Sequence, residues 1–228
     1  MRPSVVVQTY ASVRLAGLEE ILHAWLLQAS EVWVADCSGR FKTALPVTVI
    51  STSRDVGNRL RHCVALLTSG DLVIKADDDI LPLPGLVAAF ESFSAPQACI
   101  LGLIGRRFHG PAYYGGTEFF ASNKVAVLTE VDFAGVVTCA PRRLLPFDLR
   151  SCGTPIEDLH WQMGANPEAR KFVIPTSAYR NLPDSKSASC LFHKPGAREE
   201  RETYYRAMFA QNYDGRPWAE RHPGKEKP

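Results

Sequence analysis

Apolar and polar positions along this chain follow two periods, and their alternation predicts most of the elements. Residues 4–8, centred on Val5, Val6 and Val7, form a short apolar run that reads as a first strand. In residues 13–29, Leu15, Leu18, Ile21, Leu22, Trp25 and Leu26 recur at helical spacing and make one apolar stripe. Residues 31–35 and 47–50 read as two further strands, the first ending in a loop at residues 36–39. Residues 56–67 suit a helix with Asp55 as its N-cap and Gly70 in the turn beyond. A fourth strand, Leu72, Val73 and Ile74, leads into Asp77, Asp78 and Asp79. A helix after Pro84 to about residue 93 then precedes a strand at 98–104. Strands separated by helices at this spacing indicate an α/β sheet, largely parallel, with ligands outside the strand carboxyl ends.

The second half is less regular. Residues 105–116, rich in Gly, Arg and aromatic side chains, suit a substrate-facing loop. Strands are expected at 125–131, 134–139 and 172–175, and helices at 156–163 and 196–210. Residues 214–228 read as a frayed polar tail.

Composition narrows the class without naming it. The chain has 228 residues, 46% of them hydrophobic, enough for a real core. A net charge of +2 argues against bulk nucleic-acid electrostatics as the main binding force. The six cysteines are scattered, with no CxxC pair, and are expected to be reduced. No apolar run reaches the length of a membrane span, and the N-terminus passes into a strand, so a cytoplasmic location and no membrane partner are expected.

The aspartate run carries the strongest chemistry. Three adjacent anions at a strand end repel one another, and a hard divalent ion such as Mg²⁺ or Mn²⁺, shared with substrate phosphate, is the usual offset. A solvated acidic turn is the competing account, since Asp forms turns well.

The surroundings of the run resemble a known family. Val5 to Tyr10 open the chain, Asn58 and Arg59 precede the aspartates by one helix, and Glu157 and Asp158 follow downstream. In that order they resemble nucleotide-sugar glycosyltransferases of the GT-A fold, most like the exostosin-type domain, with the inverting family-2 type as neighbours. The resemblance spans roughly residues 5–192 and implies a single domain over residues 1–213. Its nucleotide-sugar-binding half would be 1–105 and its acceptor half 106–213. The implied fold is a Rossmann-like mixed sheet flanked by helices, and the implied activity is metal-dependent sugar transfer from a nucleoside diphosphate sugar, with UDP-sugar the first choice.

The resemblance also assigns positions. Gln8, Thr9, Tyr10, Asn58, Arg59, Asp77, Asp78 and Arg198 (or Arg201) would bind the donor. Asp79, with Asp77 and His193, would hold Mn²⁺ or Mg²⁺. Asp158 would be the catalytic carboxylate with Glu157 beside it, and Gly135 and Tyr114 would meet the acceptor. The chemistry is coherent in its own right, because a departing diphosphate needs cationic stabilisation and the oxocarbenium-like carbon needs a nearby carboxylate. Asp158 as base gives inversion and as cation stabiliser gives retention; the exostosin-type resemblance implies retention.

Plainer accounts stand beside these. Glu157 and Asp158 also suit a helix's first turn, where the dipole favours acids. His109 and His193 fit surface or packed histidines. Arg106 and Arg107 suit a solvated pair as well as a phosphate contact, and residues 198–202 suit a solvated helix face. The sequence has no Walker motif, GxGxxG or nucleophile elbow. Two rival functions remain: a nucleotidyltransferase on a related fold, and an inactive sugar-nucleotide-binding module. The acceptor stays open among glycan, protein, small molecule and nucleic-acid base.

Overall fold

The computed structural model describes residues 3–9, 15–53, 56–94, 99–145, 156–182 and 196–212. Its first half follows the apolar pattern closely. Strand β1 (Pro3–Thr9), helix α1 (Leu15–Leu26), β2 (Glu31–Asp36), β3 (Thr48–Ser51), α2 (Arg59–Leu67) and β4 (Leu72–Asp77) come in the expected order. The apolar stripe of α1 does what its spacing dictates: Leu18, Ile21, Leu22 and Trp25 are completely buried against the sheet.

Beyond β4 come β5 (Ile80–Pro82), α3 (Leu86–Ser94), β6 (Cys99–Phe108), β7 (Thr117–Ala121), β8 (Thr129–Val131) and β9 (Phe133–Pro141). A short helix, α4 (Glu157–Leu159), continues as a π-helical segment (His160–Ala165), followed by β10 (Arg170–Val173), β11 (Tyr179–Asn181) and α5 (Ala197–Asn212). The nine-stranded sheet runs β3-β2-β1-β4-β9-β6-β10-β8, with β7 on β6. Strands β1 to β4 are mutually parallel, whereas β9 lies antiparallel between β4 and β6. The sheet is therefore mixed rather than largely parallel.

Apolar clusters cover both faces. One, with Val5, Leu22, Trp25, Ile74, Phe90 and Leu101, packs α1 and α3 against one side. Another, with Val6, Leu60, Val64, Val73 and Trp161, packs α2 and the π-helical segment against the other. A third, aromatic cluster of Phe108, Tyr113, Phe133, Tyr205 and Phe209 seats α5.

Several expected boundaries move. The strand expected at 98–104 extends to Phe108, because Gly105 to Phe108 pair with β7, and Gly105 and Arg106 also pair with β9. The segment expected as a substrate loop thus begins four residues later, and the 105/106 boundary between halves falls inside β6. Strand β7 was not expected, and the strand expected at 125–131 shrinks to Thr129–Val131. Helix α2 starts at Arg59, with Asn58 at the cap position making no side-chain cap bond; Asp55 lies outside the described residues, as does the tail at 214–228. Cys37, Cys63, Cys99 and Cys139 are free thiols. No helix among the described residues is long and apolar enough to cross a membrane.

Candidate active site

The carboxyl ends of β1, β2 and β4 lie side by side, since Gln8 is in register with Asp77 and Thr9 with Asp36. Asp77 is the last residue of β4, and Asp78 and Asp79 form the turn into β5. That turn is tied down twice. The Thr9 hydroxyl donates to Asp78 at 2.7 Å, and the Leu182 amide donates to the Asp79 carbonyl at 2.8 Å beside the β5–β11 ribbon. Asp77 forms an ion pair with Arg61, which α2 buries facing the strand end.

Asp77, Asp78, Asp79 and Arg61 line one cleft of about 150 Å³. Gln8, Asn58, Asp77, Asp78 and Asp79 meet there with Gly135, Val136, Asp158 and Arg201. Gln8 donates to the Gly57 carbonyl at 2.8 Å, while its buried Oε1 has no hydrogen-bond partner among the described residues. Gly57 adopts φ 62, a conformation natural to glycine, and so presents that carbonyl to Gln8.

Asp158 is the best-defined acid in the cleft. Arg201 grips it with two donors, at 3.2 Å and 2.9 Å, and a third contact joins Arg201 to the Tyr113 hydroxyl at 3.3 Å. Burial alone would raise the Asp158 pKa, but Arg201 outweighs it, so the carboxyl titrates below its usual range. Arg201 reaches this place from α5, where Ala197, Arg201, Tyr205 and Phe209 recur at four-residue spacing and are all buried. An arginine inside an apolar stripe demands a counterion, and Asp158 supplies it.

The cleft floor contains groups that sequence reasoning did not single out. Lys75 from β4 is fully buried, with Nζ 3.0 Å from the Trp161 ring centroid and 3.3 Å from His62 Nδ1. Burial holds both Lys75 and His62 well below their ordinary pKa values; Arg61 adds to the effect on each, while Asp158 opposes it at Lys75. The only signal was a lysine interrupting an otherwise apolar strand. Arg106 also lines the cleft, donating to the Thr117 hydroxyl at 2.9 Å and lying 4.8 Å from the Tyr113 ring centroid. Its neighbour Arg107 points elsewhere, buried and bound to the Glu130 carbonyl at 2.9 Å.

Other expected positions fall outside the cleft. Glu157 is completely buried and does not line it, with neither carboxyl oxygen hydrogen-bonded to another residue's side chain or backbone among the described residues. Burial raises its pKa to about 7. Arg59 does not line the cleft; Arg61, two residues on, does. Tyr114 and Arg198 line a second hollow of about 310 Å³ with Glu199 and Glu202, the Arg198 guanidinium 4.6 Å from the Tyr114 ring centroid. His109 is exposed near Glu118. Tyr10 and His193 lie outside the described residues. No group of three or more potential metal-ligating side chains is gathered among the described residues.

No protein-family model and no curated protein matches the sequence, but solved structures do. Residues 1–349 of Staphylococcus aureus TarS align over 93% of this chain and 72% of that one, at 18% identity and a TM-score of 0.57. The same region in complex with UDP-GlcNAc aligns over 93% and 67%, at 19% identity and a TM-score of 0.59. A further TarS structure aligns over 82% of this chain and 37% of that one, at 18% identity and a TM-score of 0.53. The chain has a GT-A-like glycosyltransferase fold, a mixed sheet flanked by helices. The narrower exostosin-type assignment expected from the sequence finds no support in these neighbours.

Proposed function

We propose that this chain transfers a sugar from a nucleoside diphosphate donor, first a uridine nucleotide sugar, to a hydroxyl acceptor. The observation that carries the reading is that Asp158, clamped by Arg201, shares one cleft with the aspartate run of residues 77–79. The TarS neighbour solved with UDP-GlcNAc adds fold-level support for such a donor.

Gln8 and Asn58 hold the nucleoside, and the unsatisfied Gln8 Oε1 offers an acceptor to a base N–H. The residue 77–79 turn suits a hard divalent ion, because its side chains are carboxylates at a strand end. Asp79, with Asp77 beside it, would hold Mg²⁺ or Mn²⁺, and substrate phosphate and water would complete the shell. When bound, that ion supplies Lewis-acid stabilisation of the departing diphosphate. Arg106, whose polar contact is a hydroxyl rather than a carboxylate, is the cation that meets the same developing charge.

Asp158 takes the acceptor proton as the new C–O bond forms. Its lowered pKa keeps the carboxylate ionised and so able to accept that proton, which the hydroxyl releases readily only as the bond develops. A single displacement follows, with inversion at the sugar carbon. Tyr113 and Phe133, aromatic walls of the cleft, suit the apolar face of a sugar ring.

Calorimetry with UDP-GlcNAc and other UDP-sugars, with and without Mn²⁺, tests the donor. Absence of binding in both conditions would end the proposal. Asp158→Asn should keep donor affinity and lose about 10²–10⁴-fold in transfer; unchanged turnover would remove Asp158 from the chemistry. NMR of the product anomer should show inversion.

A further inference from the structure

We propose that the bulge at Gly135 and Val136 determines which sugar is transferred, by reading sugar hydroxyls through main-chain groups that Val136 holds in place. The inference rests on the donor reading above and names the specificity element of that same cleft.

The strand register shows the bulge. Ile104 of β6 pairs with Gly135 and Gly102 with Thr138, so Val136 and Val137 share the single residue Leu103 opposite them. A bulge of this kind leaves peptide groups outside the ladder and aims them away from it. Here they border the cleft, because Gly135 and Val136 both line it alongside Asp77, Asp79 and Asp158. A donor sugar must reach from its diphosphate at the aspartate run to the acceptor oxygen at Asp158, so it passes these main-chain groups.

The backbone at Val136 is strained. Its φ is 68, and among the described residues every other positive φ belongs to a glycine, at Gly39, Gly57, Gly85 and Gly196. Where the first bulge position takes a positive φ it is ordinarily glycine, and a β-branched residue there is a real outlier. Such strain persists only where the surroundings over-determine the conformation, and it clusters at ligand-binding sites. The surroundings are present: a Cβ on Gly135 would come within 3.1 Å of Phe133 and 3.3 Å of Ile104, while Val137 is fully buried in the core. Between those two anchors the branched Val136 side chain narrows the backbone to one orientation, which a glycine there would not. A rigid peptide is an effective hydroxyl reader, because the wrong epimer leaves it unpaired.

The test is Val136→Gly, which removes both the strain and the rigidity. Binding of UDP, UDP-GlcNAc, UDP-glucose and UDP-galactose is measured by calorimetry on wild type and variant. UDP affinity should stay within about twofold, while the preferred UDP-sugar loses about tenfold and discrimination among the three sugars falls toward unity. The thermal midpoint should not fall, since glycine suits this φ. Val136→Thr, which keeps the branched Cβ, should retain wild-type discrimination. If Val136→Gly does not fold, Val136→Asn, which tolerates a positive φ and lacks the branched Cβ, carries the same comparison. Wild-type discrimination in the folded variant would overturn the inference while leaving the donor reading intact. Failure of wild type to bind UDP or any of the sugars would overturn the donor reading and this inference with it.

Discussion

Glu157 and Asp158 are adjacent in sequence, yet their surroundings push their pKa values in opposite directions. Burial, with the Asp158 charge beside it, raises Glu157 to about 7, while the Arg201 clamp lowers Asp158. A carboxyl whose folded pKa exceeds its unfolded value of 4.5 destabilises the fold as pH rises. Below 4.5 both states are protonated and nothing is lost; between 4.5 and 7 only the unfolded chain ionises, so stability falls, and above 7 the loss is constant. Its full size is about 3 kcal/mol. Glu157→Gln should therefore gain stability over wild type at pH 8 and little at pH 4, as urea denaturation at the two pH values would show. A gain independent of pH would sink this account. Asp158 depends on its partner instead: Arg201→Met strands a carboxylate and should cost roughly 3 kcal/mol, read from the urea midpoint at pH 7. The acids were legible in the sequence because three carboxylates in a row need an explanation. Arg201 was legible in principle through its place in the Ala197, Tyr205, Phe209 stripe, although a short charge run there reads first as a solvated face. The burial of Glu157 was not legible, since an acid in a helix's first turn is ordinary.

Elements with a clean period were readable, and those defined by pairing were not. Helix α1 announces itself through its stripe, and β1, β2 and β4 through apolar runs. Strand β7 is half-exposed and gains its identity only by pairing with residues 104–108 of β6. Strand β5 contains Pro82 and reads as a turn until β11 pairs with it. The helix expected at 156–163 exists, but widens into a π-helix that buries Trp161, Gln162 and Met163. Gln162 is then locked by reciprocal bonds to the Ala134 amide at 2.8 Å and carbonyl at 2.6 Å, which orients the strand just before the bulge. Packing at the element scale also explains Gly105, where an added Cβ would lie 2.5 Å from Val173 and 2.8 Å from Val131. Gly105→Ala should cost about 1–3 kcal/mol, whereas Gly115→Ala, whose Cβ meets nothing within 4 Å, should be near neutral. Paired thermal melts of the two variants check this; equal shifts would refute the packing argument.

At the scale of the whole molecule, the position of β9 matters most. A sequence reading places the strands in chain order and divides the chain near residue 105, but no local signal says that β9 inserts between β4 and β6. That insertion depends on pairings more than sixty residues apart in sequence along β4, such as Ile74 with Cys139. It joins the part of the sheet made by β1 to β4 to the part made by β6, β8 and β10 through one continuous ladder, and β6 itself runs across residue 105. The cleft is thereby built on both sides of a shared strand: Lys75 and Asp77 come from β4, and Gly135, Val136 and Thr138 from β9. Neither part can retain its site surface if the other unfolds, because each supplies the other's ladder partners. The two parts should therefore unfold as one cooperative unit. Urea unfolding followed by far-UV circular dichroism and by tryptophan fluorescence should give superimposable transitions with one midpoint, since Trp25 and Trp161 are buried on opposite faces of the same sheet. Separated midpoints would show that the β4–β9 ladder does not couple the parts, and would remove the structural basis for reading the cleft as a single preorganised site.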